Sequence, residues 1–124
     1  MVKGRFITFT IILGLLLCRS ALSQDVVKIG VITDLSGPAL YIGEQTQVGA
    51  KLAEYELRQS GANVQVIIED SALNPQKAVS AAQKLVFVDN VDAFYIFLTP
   101  VAVAVSPFLK GAKKAAIYAA GSDS

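Results

Sequence analysis

The chain has no histidine, and its one cysteine, Cys18, lies in an amino-terminal segment that reads as a leader. Without imidazole, acid–base chemistry would fall to carboxylates. The two nearest to a pair, Glu69 and Asp70, are neighbours on a strand pattern and point to opposite faces. There is no G-x-G-x-x-G, no Walker loop and no set of metal ligands at binding spacing, so nucleotide, metal and nucleophilic chemistry all lack their usual residues. Charge of one sign is also missing. Eleven Lys and Arg stand against ten Asp and Glu, with no basic stripe to attract nucleic acid. No internal repeat, low-complexity tract or linker interrupts the chain.

What is present is apolar. Of the 124 residues 53% are hydrophobic and 17% charged, a balance that builds a core rather than a disordered chain. Part of this belongs to the leader: Lys3 and Arg5, then the apolar run Phe6 to Cys18, then the small-x-small site Ala21-Leu22-Ser23 before Gln24. The run is too short to cross a bilayer comfortably, so residues 1–23 read as a signal peptide cleaved after Ser23. Leu17 stands before Cys18 where a lipoprotein signal wants a small residue, so the cysteine reads as discarded with the leader. The remaining chain, residues 24–124, then carries no thiol, and its eight bases face ten acids.

After the leader the periods alternate between strand and helix. Val26 to Thr33 reads as a buried strand, and Ser36-Gly37-Pro38 as a turn. A helix is expected from about Gly43 to Gln59, with Gly49, Leu52, Ala53 and Leu57 inward, Glu54 and Arg58 on the wet side, and a stop at Gly61. Val64 to Glu69 is the second strand. Asn74-Pro75 caps a helix that turns Ala78, Ala81, Ala82, Leu85 and Val86 to one face. Ala93 to Leu98 is the third strand, and Thr99-Pro100 repeats the cap-and-proline device. The following helix is apolar on two sides, carries a disruptive Pro107 and ends at Gly111. Ala115 to Ala119 is a fourth strand. The order βαβαβαβ with right-handed crossovers specifies an α/β fold, a three-layer sandwich around a parallel sheet.

Ligands of such sheets bind beyond the carboxyl ends of the strands. That places interest on Asp34 to Ile42, Asp70 to Asn74, Thr99 to Val101 and Ala120 to Ser124. Helix N-termini at this edge favour an anion such as a carboxylate. The start of the third helix is best placed for one, although Thr99 also suits a plain N-cap.

Several segments resemble the start of type I periplasmic solute-binding proteins of the Leu/Ile/Val-binding branch. They are Lys28-Ile29-Gly30-Val31-Ile32-Thr33-Asp34-Leu35-Ser36-Gly37-Pro38, Gly43-Glu44-Gln45 through Gly49-Ala50-Lys51-Leu52-Ala53, Glu69-Asp70-Ser71-Ala72-Leu73-Asn74-Pro75-Gln76-Lys77-Ala78-Val79, and Ala119-Ala120-Gly121-Ser122. The resemblance covers residues 24–124 and implies the N-terminal part of lobe 1 of a leucine-binding domain, incomplete in itself. It implies two hinged lobes that close on an amino acid and deliver it to an ABC transporter permease, in the periplasm, without enzymatic turnover, cofactor or metal. It further implies that Thr99, Pro100 and Val101, with Gly121, Ser122 and Asp123, hold the ligand's α-carboxylate. Tyr41 would line the cleft, one place before the usual aromatic position. This chain departs from the family pattern in having Ile96-Phe97 before Leu98-Thr99, and in Asp123, whose charge opposes a carboxylate. Three other readings stay open: a sensory ligand-binding domain of the same fold, a truncated remnant that binds nothing, and a small α/β enzyme or receiver domain.

Overall fold

The computed structural model describes residues 25–119. The leader, with Cys18, and the fourth loop, with Gly121, Ser122 and Asp123, lie outside the described residues. Four strands form one parallel sheet: β1 (Val27–Thr33), β2 (Val64–Asp70), β3 (Ala93–Phe97) and β4 (Ala115–Ala119), in spatial order β2-β1-β3-β4. Three helices join them: α1 (Leu40–Gln59), α2 (Pro75–Phe87) and α3 (Thr99–Gly111). The expected βαβαβαβ order is observed.

The crossovers decide the layers. From β1 to β2 the chain steps one way along the sheet, whereas β2 to β3 and β3 to β4 step the other way. Right-handed connections therefore put α1 on one face and α2 with α3 on the opposite face. Strand alternation matches. The register pairs Gly30 with Phe94 and Ile32 with Ile96, and these face α2 and α3. There the core forms: Ile32, Phe94 and Ile96 meet Ala78, Ala82 and Leu85 of α2 and Val101, Val105 and Leu109 of α3, all buried. Burying a side chain the size of Leu85 or Phe94 contributes about 2–3 kcal/mol.

The helix ends follow local chemistry. Asn74 caps α2 by accepting the Lys77 N–H at 2.9 Å, and Pro75 stands at its first turn as expected. At the end of α1, Gly61 adopts a left-handed φ of 94° while the N–H groups of Gly61 and Ala62 reach back to Arg58 and Leu57. That is a Schellman stop.

Several expectations need correction. Helix α1 starts at Leu40 rather than Gly43, because the Gly37 turn feeds the chain into it and the N–H groups of Ile42 and Gly43 already bond to Ala39. Its anticipated inner stripe of Gly49, Leu52, Ala53 and Leu57 is exposed, with Leu52 at 54% and Leu57 at 47%. Only Gly43 of α1 is buried. The apolar face was identified, but α1 lies over the β1–β2 side of the sheet and leaves a gap toward β3. Strand β2 runs one residue further than expected, to Asp70, and β3 stops at Phe97, one residue early. Helix α3 passes through Pro107 unbroken, and Val103 on its outer side is 69% exposed, so one face is covered rather than two. The helix ends at Gly111 as expected, but the left-handed residue that closes it is not the glycine. Lys113 takes the left-handed position at φ 55°, with Lys113 and Lys114 N–H groups bonding back to Lys110 and Leu109.

Glu54 and Arg58 are also reassigned. Strand β2 is an edge, and its outward main chain is covered by side chains of α1 rather than left to water. Glu54 Oε1 accepts the Val66 N–H at 3.0 Å, Lys51 Nζ donates to the Val66 carbonyl at 2.9 Å and Arg58 Nε donates to the Val64 carbonyl at 2.9 Å. Covering an edge in this way blocks strand addition. Hydrogen bonds from Lys51 and the Val66 N–H hold the Glu54 carboxyl below its ordinary value.

Candidate functional site

At the carboxyl edge the first two loops are tied to each other. Asp34, at the end of β1 and fully buried, accepts the Leu73 N–H at 2.5 Å and a short hydrogen bond from the Ser71 hydroxyl. Asp70, at the end of β2, accepts the Leu35 N–H at 2.8 Å and the Ser36 hydroxyl at 2.6 Å. It also accepts the Ala72 N–H at 2.8 Å and an ion pair from Lys77 at 2.6 Å. Burial acts to raise the Asp70 carboxyl, but Lys77, Ser36 and the N–H groups of Ala72 and Leu35 outweigh it and hold it well below its ordinary 3.8. Asp34 and Ser36 are thus scaffold at the rim. The second Asp34 oxygen and the Thr33 hydroxyl are buried without a partner among the described residues.

The sequence-expected ligand residues divide. Thr99 and Pro100 open α3 at the carboxyl end of β3 and are exposed. Val101 is buried in the core, so only its main chain faces the edge. Thr99 is not the N-cap. Leu98 holds that position without a side-chain bond, and its φ of 72° is one that a bulky side chain rarely adopts. The Leu98 carbonyl accepts the Ala102 N–H at 3.0 Å, so α3 starts one residue earlier than the cap-and-proline pattern suggests. Helix N–H groups of the first turn have no partner within the helix, and their dipoles favour a negative charge. Tyr41 stands in the first turn of α1 and is 74% exposed at the same edge.

Two features of the edge were not anticipated. One is Ser71, whose hydroxyl fixes Asp34; an Asp-Ser pair at a strand end was its available signal. The other is the strained Leu98, for which a leucine offers no local signal. Among the described residues no group of three His, Cys, Asp or Glu side chains converges as a metal site, and no helix is long and apolar enough to cross a membrane.

Comparisons with known proteins bear on the family and the fold. Residues 26–124 match the family described as periplasmic binding protein. The chain belongs to that family. Leu/Ile/Val-binding protein homolog 6 of Brucella abortus is 36% identical over 98 residues, which cover 76% of this chain and 25% of that protein. Among solved structures, a solute-binding protein of an ABC transporter from Rhodopseudomonas palustris, in complex with 3,4-dihydroxybenzoic acid, superposes with a TM-score of 0.69. It is 30% identical, covering 79% of this chain and 28% of that one. The branched-chain amino acid transporter substrate-binding protein LivJ from Streptococcus pneumoniae shares the fold at a TM-score of 0.72 and 23% identity, over 80% of this chain and 30% of its own. The chain spans about a quarter of the length of the curated relatives it matches. These relatives of the periplasmic binding protein family are named for binding and transport, not for turnover.

Proposed function

We propose that this chain forms the N-terminal part of the first lobe of an extracytoplasmic solute-binding protein, exported by its leader and delivering a small amino acid to an ABC transporter permease. The observation that carries the reading is the junction at Leu98, Thr99 and Pro100, where α3 begins at the carboxyl end of β3. A ligand carboxylate there would meet first-turn N–H groups and the Thr99 hydroxyl, the anion site that a helix N-terminus provides. Gly121, Ser122 and Asp123 would contribute from the fourth loop and Tyr41 from the first turn of α1. The Leu/Ile/Val-binding name of the Brucella relative supports a branched-chain amino acid. Binding involves no covalent change; the work is done by closure on the solute and presentation to the permease.

A second reading follows from the Rhodopseudomonas relative, whose bound 3,4-dihydroxybenzoic acid is an aromatic carboxylate. The acid group is common to both solute classes, so the α3 N-terminus serves either. Calorimetric titration of the purified chain with leucine, isoleucine, valine and 3,4-dihydroxybenzoate distinguishes them. Saturable heat that Thr99→Val weakens by about 1 kcal/mol supports the carboxylate site. Heat unchanged by Thr99→Val would remove Thr99 from it. Absence of heat for all four solutes would count against binding by this chain alone.

A further inference from the structure

In a parallel pair, alternate residues of a strand turn their main-chain groups toward the neighbouring strand and away from it. In β2 the outward residues are Val64, Val66 and Ile68: the groups of Val64 and Val66 bond to α1, whereas the Ser71 N–H, in the other phase, bonds inward to the Thr33 carbonyl at 2.8 Å. Around that row the sequence Val64-Gln65-Val66-Ile67-Ile68 has no charge, glycine or proline, and four of its five residues are β-branched. On a sheet edge, such a segment is a template for pairing with another chain.

We infer that the β2 edge is a latent self-association surface, and that Lys51, Glu54 and Arg58 of α1 form a strap that holds it shut against a second copy of this chain. The occupant follows from the row itself. Antiparallel pairing about a twofold axis at Val66 sets Val66 beside its own copy and Val64 beside Ile68, and in each such pair the two residues exchange N–H and carbonyl. The same register sets Glu69 opposite Asn63 and Asp70 opposite Ala62, so no like charges meet. The strap takes those groups first. Residues 51, 54 and 58 share one row of α1, which runs back along β2. Arg58 Nε holds the Val64 carbonyl at 2.9 Å, while Glu54 Oε1 holds the Val66 N–H at 3.0 Å and Lys51 Nζ the Val66 carbonyl at 2.9 Å. Lys51 also pairs with Glu54 at 2.9 Å, and the Glu54 side chain is only 12% exposed. Both polar groups of Val66, the centre of the twofold register, are therefore occupied, and a second copy has to displace all three side chains to pair.

Hydrogen exchange and sedimentation equilibrium on the purified chain test the strap. The Val66 N–H should exchange at least about tenfold more slowly than the Ile68 N–H, which lies on the same outward row and donates to no α1 side chain among the described residues. Lys51→Ala with Glu54→Ala frees both groups of Val66 and keeps good helix formers in α1. This double variant should dimerise at least about tenfold more strongly than the native chain. Glu54→Gln, whose side-chain oxygen can still accept the Val66 N–H, should stay at the native level. Adding Ile68→Pro to the double variant removes an outward donor without touching the inner ladder, as an edge strand tolerates, and should abolish the gain. Equal exchange at Val66 and Ile68, a double variant no more associated than the native chain, or association that survives Ile68→Pro would each overturn the inference. The exchange comparison needs no substitution, so it decides the matter even where a variant does not fold. None of these outcomes depends on solute binding at the α3 N-terminus.

Discussion

Asp34 and Asp70 each hold the loop that follows the other's strand. Asp34 directly follows β1 and bonds to Ser71 and Leu73 beyond β2, while Asp70 ends β2 and bonds to Leu35 and Ser36 beyond β1. The exchange works because the parallel register sets Thr33 beside Asp70, which brings the two loops side by side. The second loop needs such support, since Ala72 and Leu73 both sit at positive φ, 49° and 53°. Successive non-glycine residues there cost free energy that a buried carboxylate bonded to Ser71 and Leu73 can offset.

Asp34→Ala leaves the Ser71 hydroxyl and the Leu73 N–H without their acceptor. It is expected to lower unfolding free energy by about 3 kcal/mol, read from urea midpoints. The Asp34→Ala, Asp70→Ala double variant should lose less than the sum of the two singles, because both act on one pair of loops. Strict additivity would show that the two aspartates stabilise independent features.

The depressed Asp70 carboxyl gives a pH dependence of known sign. A carboxylate whose value is lower in the folded than in the unfolded chain stabilises fully above the unfolded value, and its contribution is lost as pH falls through that value toward the folded one. The loss therefore begins near the ordinary 3.8 and continues below it. Thermal melts of the native chain should show Tm falling below about pH 4 more steeply than those of Asp70→Asn. Parallel Tm curves would mean that the ion pair with Lys77 and the bonds from Ser36, Ala72 and Leu35 do not stabilise the ionised form in solution.

Gly43 packs directly against the main chain of Asp34, just after β1. A Cβ built there would lie 1.7 Å from the Asp34 carbonyl oxygen, a main-chain atom that cannot rotate away. Within an exposed helix glycine to alanine stabilises by about 1 kcal/mol. Here Gly43→Ala should instead destabilise by about 2 kcal/mol or more, as overpacking against backbone does. Gly49→Ala is the control, since nothing lies within 4 Å of its Cβ position, and it should stabilise.

The fold was largely legible because each strand and helix announces itself by period, and helix α2 shows this best. Its Ala78, Ala81, Ala82, Leu85 and Val86 were assigned inward and are buried, since the sheet and α3 both reach that face. Helix α1 has an equally readable apolar face, yet Leu52, Ala53 and Leu57 are exposed. Periodicity identifies which side of a helix is apolar, but what covers that side depends on elements distant in sequence. Helix ends show a similar limit: Gly61 marks a stop by its composition, whereas Lys113 adopts the same left-handed geometry without any sequence signal. The candidate site was legible in position, through the strand ends, more than in the role of each residue. Val101 is equally apolar whether it faces a ligand or the core, and only packing against Ile96 and Leu109 within one cluster assigns it to the core.

Leu98 offers the sharpest test of strain at the ligand edge. Its φ of 72° and ψ of 135° belong to a region that glycine enters freely and a side chain with a Cβ does not. Comparing Leu98→Gly with Leu98→Ala isolates that backbone term, because both remove the same larger side chain. Alanine normally exceeds glycine in stability, since glycine loses more freedom on folding. At position 98 the order should reverse, with the glycine variant more stable than the alanine variant by about 1 kcal/mol in urea unfolding. Because Leu98 caps α3 directly before Thr99, relief of that strain should leave the helix start in place, and hydrogen exchange at the Ala102 N–H, which bonds to the Leu98 carbonyl, should be slower in Leu98→Gly than in Leu98→Ala. Faster exchange in the glycine variant would mean that position 98 does not hold this strained conformation in solution.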